Sequence, residues 1–124
     1  MTKLKLKRSK YNNKITIFNN KTFHSLLERD CYAWLMQYKE LYKFELETQK
    51  QYPICEHNKR RKYIADFVLT KNNQKIVIDV KSKPTITNMF LLKKELLFHK
   101  YGIKVHVVFC IRDIYNLIKQ EFNV

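Results

Sequence analysis

Two apolar runs near the middle of the chain restrict the fold more than any other feature: Tyr63-Ile64-Ala65-Asp66-Phe67-Val68-Leu69 and Ile76-Val77-Ile78-Asp79-Val80-Lys81-Ser82. Both read as strands that are apolar on two faces, the pattern of a sheet covered by helices on each side. Between them, Lys71-Asn72-Asn73-Gln74 reads as a four-residue hairpin loop. That register sets Asp66 opposite Asp79 and Ile64 opposite Lys81. Strand side chains alternate with period two, so Asp79 and Lys81 share a face. Two carboxylates facing each other repel, and nothing polar flanks them on the strand interiors. A divalent cation relieves that repulsion, and the neighbouring lysine can orient water or steady a developing negative charge. The three residues form a candidate nuclease centre.

Charge limits the substrate. The 124 residues carry 25 Lys+Arg against 11 Asp+Glu, a formal net charge of +14. Such a field favours a polyanion, either nucleic acid or an acidic membrane surface. No apolar run approaches the ~20 residues needed to cross a bilayer, and the basic N-terminus lacks the apolar stretch of a signal peptide. DNA is therefore the expected partner, with no membrane and no small-molecule substrate. Cys31, Cys55 and Cys110 are odd in number and widely separated, which suits a reducing cytoplasm. Cys55 and His57 form a Cys-x-His pair with no second pair at zinc-binding spacing. An ordinary free thiol and a surface histidine account for them better.

Length and patterning describe one unit. Residues 1–21 form a basic arm and lead-in, and residues 22–124 a single domain. Asn20 or Thr22 is expected to cap a helix running to about Leu41, with Phe23, Leu26, Leu27, Cys31, Trp34, Leu35, Tyr38 and Leu41 recurring at three and four. Phe44 to Gln51 alternates as a strand with one polar face, and Pro53 stops it. Lys83-Pro84-Thr85 breaks the pattern after the second apolar strand. A helix then runs from about Asn88 to Lys100, with Gly102 as its left-handed terminator. Val105 to Phe109 reads as a buried strand, and Asp113 is expected to cap a last helix with Ile114, Leu117, Ile118 and Phe122 inward. The order is αβββαβα, an α/β fold with a small mixed sheet flanked by helices.

Further acids are available to the centre. Glu28 lies at the border of the first helix's apolar face, from which it can supply another oxygen ligand to Mg²⁺; a solvent-facing ion pair is the alternative. Glu47 and Gln49 share the polar face of the preceding strand and are possible additions. Lys59, Arg60, Arg61 and Lys62 precede the Asp66 strand, and Lys83, Lys93, Lys94 and Lys100 follow Lys81. They offer phosphate contacts that give affinity with little sequence reading.

Asp66 followed, after a hairpin, by Asp79-Val80-Lys81 resembles the bipartite PD-(D/E)xK signature of the restriction-endonuclease-like nucleases. Ala65 stands where the signature has proline, and Asp79 where glutamate is commoner. Ser25-x-x-Glu28, Tyr63-Ile64-Ala65-Asp66-Phe67, Ile78-Asp79-Val80-Lys81-Ser82 and Phe90-x-x-Lys93-Lys94 ahead of Tyr101-Gly102-Ile103 together resemble a small phage-encoded family. That family carries a domain-of-unknown-function label and is similar to phage Holliday junction resolvases. The resemblance spans about residues 22–109 and implies a restriction-endonuclease-like core. It implies that Glu28, Asp66, Asp79 and Lys81 are catalytic, with Mg²⁺ (or Mn²⁺ in its place) on Glu28, Asp66, Asp79 and the Val80 carbonyl.

The expected activity is metal-dependent hydrolysis of DNA phosphodiesters, with branched DNA as substrate. No base-reading module is present in the sequence, so a sequence-specific restriction enzyme is disfavoured. Symmetric cutting of a four-way junction needs two active sites, hence a two-fold homodimer. Trp34, Tyr38, Tyr42 and Phe44 fit such an interface and fit core packing equally well. The alternatives are a nickase, flap or transposon-end endonuclease with the same centre, and a non-catalytic nucleic-acid-binding module.

Overall fold

The computed structural model describes residues 7–8, 14–58, 60–82 and 86–124. Most of the N-terminal arm, Lys59, and the Lys83-Pro84-Thr85 segment lie outside the described residues. Ten elements follow one another: β1 (Lys7–Arg8), β2 (Lys14–Phe18), β3 (Lys21–Phe23), α1 (Leu26–Tyr42), β4 (Glu45–Pro53), β5 (Lys62–Lys71), β6 (Gln74–Val80), α2 (Asn88–Tyr101), β7 (Val105–Val108) and α3 (Ile111–Phe122). From α1 onward this is the expected αβββαβα order. Three short antiparallel strands precede it and form their own sheet.

The main sheet has the order β4-β5-β6-β7. β4, β5 and β6 are antiparallel neighbours, and β7 joins β6 in parallel after the α2 crossover. α1 and α3 cover one face, where Cys31, Leu35, Ile114 and Ile118 pack on Phe67, Leu69, Ile76 and Ile78. α2 covers the other, with Phe90 and Leu97 on Val68, Val77 and Val105. Helices on both faces explain why the central strands lack polar alternation. Phe44 is part of the first core. Trp34 stacks within the chain on Tyr38 at 4.6 Å and meets Tyr115 of α3 edge-on at 6.4 Å. Trp34 and Tyr42 also pack against the first core.

Several local expectations are corrected. α1 starts at Leu26 behind Ser25, whose hydroxyl accepts from the Glu28 amide; Thr22 and Phe23 belong to β3 instead. The tetrapeptide 71–74 is a two-residue turn: Lys71 pairs with Gln74, and Asn72 and Asn73 take φ of 50° and 67°. Two successive positive φ values are what the tight hairpin needs, and asparagine tolerates them. α3 begins after Cys110. Asp113 sits inside its first turn and reaches back to accept from the Phe109 amide at 2.9 Å. Gly102 ends α2 with φ 68°, as expected.

The largest departure from simple alternation lies in β4 and β5. Thr48 pairs with Phe67 and Lys50 with Ala65, but Gln49 and Asp66 drop out of the ladder, and Gln49 has φ 52°. At this point β5 exchanges faces. Phe67 and Leu69 belong to the α1/α3 core, whereas Tyr63 and Ala65, at the same parity, belong to the α2 core. The pairing of β5 with β6 also ends here, at Phe67↔Ile78. Ile64 pairs with Gln51 of β4, and the Lys81 amide bonds to the Val108 carbonyl of β7. The expected facing of Ile64 and Lys81 across the ladder is therefore not made.

Candidate active site

Asp66 stands where β5 and β6 part. Out of its ladder, its Oδ2 accepts the Val80 amide at 2.7 Å, and Asp79 is near enough for its charge to raise the proton affinity of Asp66. The two acids thus lie together, as the hairpin register implies. Asp79 is buried on β6, and its Oδ1 lies 3.5 Å from Lys81 Nζ. Glu28 comes from α1 and is also buried. The Ser25 hydroxyl caps the start of its helix by accepting from the Glu28 amide at 3.0 Å.

Crowding of buried acids shows in their proton affinity. Burial, followed by the charge of Asp79, pushes Glu28 up to about 7, against the pull of the His24 backbone and Lys81. Burial, then Glu28 and Asp79, hold Asp66 well above the usual carboxylate range. Desolvation and like charge both disfavour the ionised form, and perturbed acids of this kind cluster at functional sites.

One neighbour escapes sequence reasoning. The Tyr63 hydroxyl donates to Asp79 Oδ2 at 2.5 Å, so a polar group does flank the acids. Burial and the adjacent Asp79 raise its phenol, which keeps it a donor. Tyr63 and Asp66 are three residues apart, a spacing that regular alternation puts on opposite faces; the break at Gln49 brings Tyr63 round to Asp79.

Asp79 opens onto a cleft of about 280 Å³ lined also by Lys62, Tyr63, Ile64, Lys81, Thr87, Met89, Phe90 and Lys93. Lys62 and Lys93 of the predicted phosphate contacts are thus at the site. Arg60 and Arg61 are exposed in the turn that leads into β5. Lys94 lines a different cavity, of about 550 Å³, along β7 and α3, and Lys100 lies over the Tyr101 ring at the far end of α2. Lys59 and Lys83 fall outside the described residues. Glu47 is turned to Lys50 at 3.3 Å, and Gln49 donates to the Thr22 carbonyl at 2.9 Å, so both are engaged away from the acids.

Among the described residues, no three His, Cys, Asp or Glu side chains are grouped closely enough to hold a metal ion between them. Magnesium does not require such a cage, since it binds one or two carboxylates and keeps several waters. Asp66 and Asp79, with the charge of Glu28 nearby, suit a hard cation of that kind.

A mixed β-sheet flanked by α-helices, with paired acids and a lysine at the end of one central strand, is consistent with an α/β nuclease-like core. Residues 8–115 match a family model described as a protein of unknown function (DUF1064), and the chain belongs to that family. The family is phage-associated and linked to the PD-(D/E)xK nuclease superfamily. No curated protein matches the chain.

Proposed function

We propose that the protein is a Mg²⁺-dependent endonuclease with a restriction-endonuclease-like core that hydrolyses DNA phosphodiesters, acting as a homodimer on branched DNA such as a four-way junction. The observation that carries this reading is Asp79 beside Lys81 in a lysine-lined cleft, with Asp66 of the neighbouring strand bonded to the Val80 amide between them. Asp66, Asp79 and the Val80 carbonyl would hold the cation, with Glu28 reaching it through the waters that Mg²⁺ retains. A bound divalent ion supplies Lewis-acid polarisation of the phosphate. Lys81 balances charge as it develops on the phosphate oxygens, an interaction that strengthens toward the transition state. Lys62 and Lys93 seat the flanking phosphates and fix the strand over the acids.

The selectivity for branched DNA is supported by the +14 charge and by the lack of a base-reading element in the sequence. The test incubates purified protein with end-labelled four-way, flap, nicked and linear duplex DNA in Mg²⁺, Mn²⁺ or EDTA. Metal-dependent paired nicks across the junction are expected. Equal cutting of linear duplex would remove the junction selectivity, and no cutting of any substrate would sink the nuclease reading.

A further inference from the structure

Four side chains around the acids close a ring of contacts. The Tyr63 hydroxyl binds Asp79 Oδ2 at 2.5 Å, and Asp79 Oδ1 faces Lys81 Nζ at 3.5 Å. Lys81 Nζ lies over the Phe90 ring, 4.7 Å from its centroid, and the Phe90 ring packs on Tyr63 at 6.4 Å. Tyr63 and Asp79 are almost wholly buried, so water does not compete for the bond between them.

A carboxylate turns easily about its last torsion, whose rotamer distribution is broad. With Oδ2 held by a buried hydroxyl that turn is blocked, and Oδ1 is left as the oxygen facing Lys81. Resting on the endonuclease reading above, we infer that Tyr63 is a positioning residue: by fixing Oδ2 of Asp79 it aims Oδ1 outward and sets the protein's affinity for the divalent cation. Phe90 completes the arrangement by seating the Lys81 ammonium, which keeps it beside Asp79. Partners that orient a metal-binding carboxylate typically govern metal affinity by ~10–100-fold.

Tyr63→Phe tests this directly, because it removes one oxygen and keeps the ring that packs on Phe90. Mn²⁺ binding to the DNA-free protein is measured by titration calorimetry, and cleavage of the four-way junction is measured against Mg²⁺ concentration. The Mn²⁺ dissociation constant is expected to rise by ~10–100-fold, and the half-saturating Mg²⁺ concentration by a similar factor. The rate at saturating Mg²⁺ should fall by less than about threefold, a split that a merely loosened fold would not give. Tyr52→Phe is the control. Tyr52 pairs with Tyr63 across the ladder, and its buried hydroxyl has no hydrogen-bond partner among the described residues, so its loss should leave Mn²⁺ affinity unchanged. A Tyr63→Phe protein that binds Mn²⁺ within twofold of the parent overturns the inference and leaves the endonuclease reading standing. A parent that neither binds Mn²⁺ nor cuts DNA overturns both.

Discussion

Without metal, the protein should lose stability as the pH rises through the neutral range, and Glu28 should be one cause. Its ordinary value of 4.5 becomes about 7 in the fold. The folded chain therefore binds more protons than the unfolded chain between those values, and stability falls as pH rises across that window. The favourable contribution is complete below 4.5 and gone once pH exceeds about 7. A displacement of that size corresponds to about 3 kcal/mol, a large share of the ~5–15 kcal/mol typical of a small domain. Asp66 is displaced in the same direction and adds to the slope. His106 works against it: burial lowers its value below 6.5, so the fold is penalised in acid. Glu28→Gln isolates the glutamate, since it keeps the shape and removes the titration. Urea denaturation in EDTA at pH 5, 6, 7 and 8 should show the parent losing about 2–3 kcal/mol relative to the variant, part of the window lying below pH 5. Saturating Mg²⁺ should shrink that loss, because the cation favours the ionised carboxylates and binds only the folded chain. Parallel pH profiles for parent and variant in EDTA would refute the account of a strained acid cluster.

Other variants probe the remaining parts. Asp79→Asn should abolish Mg²⁺-dependent cleavage while gel-shift affinity for a junction is retained or improved, because a negative charge leaves a cleft built for phosphate; cutting at the parent's rate would place the active site elsewhere. Replacing Arg60 and Arg61 with alanine should weaken binding to every DNA shape. The slope of log affinity against log salt, read by titration at several salt concentrations, should shrink by ~0.9 for each phosphate no longer neutralised. Gly102→Ala should cost ~1 kcal/mol in urea denaturation: φ is 68° and, among the described residues, nothing lies within 4 Å of an added Cβ, so the cost is conformational.

The site is legible in its pieces and opaque in its assembly. Apolar runs and Asn72-Asn73 suffice to pair β5 with β6, and that register brings Asp66 to Asp79. Ser25-x-x-Glu28 marks the start of a helix, yet the periodic apolar residues from Phe23 pull the expected boundary too far upstream; Phe23 is a core residue of a strand. Tyr63 is hidden for a different reason. Period-two reasoning assumes an unbroken ladder, and no local signal identifies Gln49 as left-handed, since glutamine carries no turn preference of the kind asparagine or glycine has. Lys94 groups with Lys93 when adjacency is the only guide, although one helical step of about 100° is enough to send neighbours to different cavities.

The left-handed residue in β4 also bears on register slip. In an unbroken hairpin a one-residue slide of β4 past β5 costs side-chain packing, while the backbone itself is indifferent to where it stops. Here Gln49 and Asp66 are the unpaired positions of the same fault, one on each strand. Sliding β4 would move the fault opposite a different residue of β5, leave Asp66 inside the ladder and turn Tyr63 away from Asp79. The position of Asp66 is thus keyed to one torsion on a neighbouring strand, and sequence changes that relocate that torsion would displace the site even if every acid were kept.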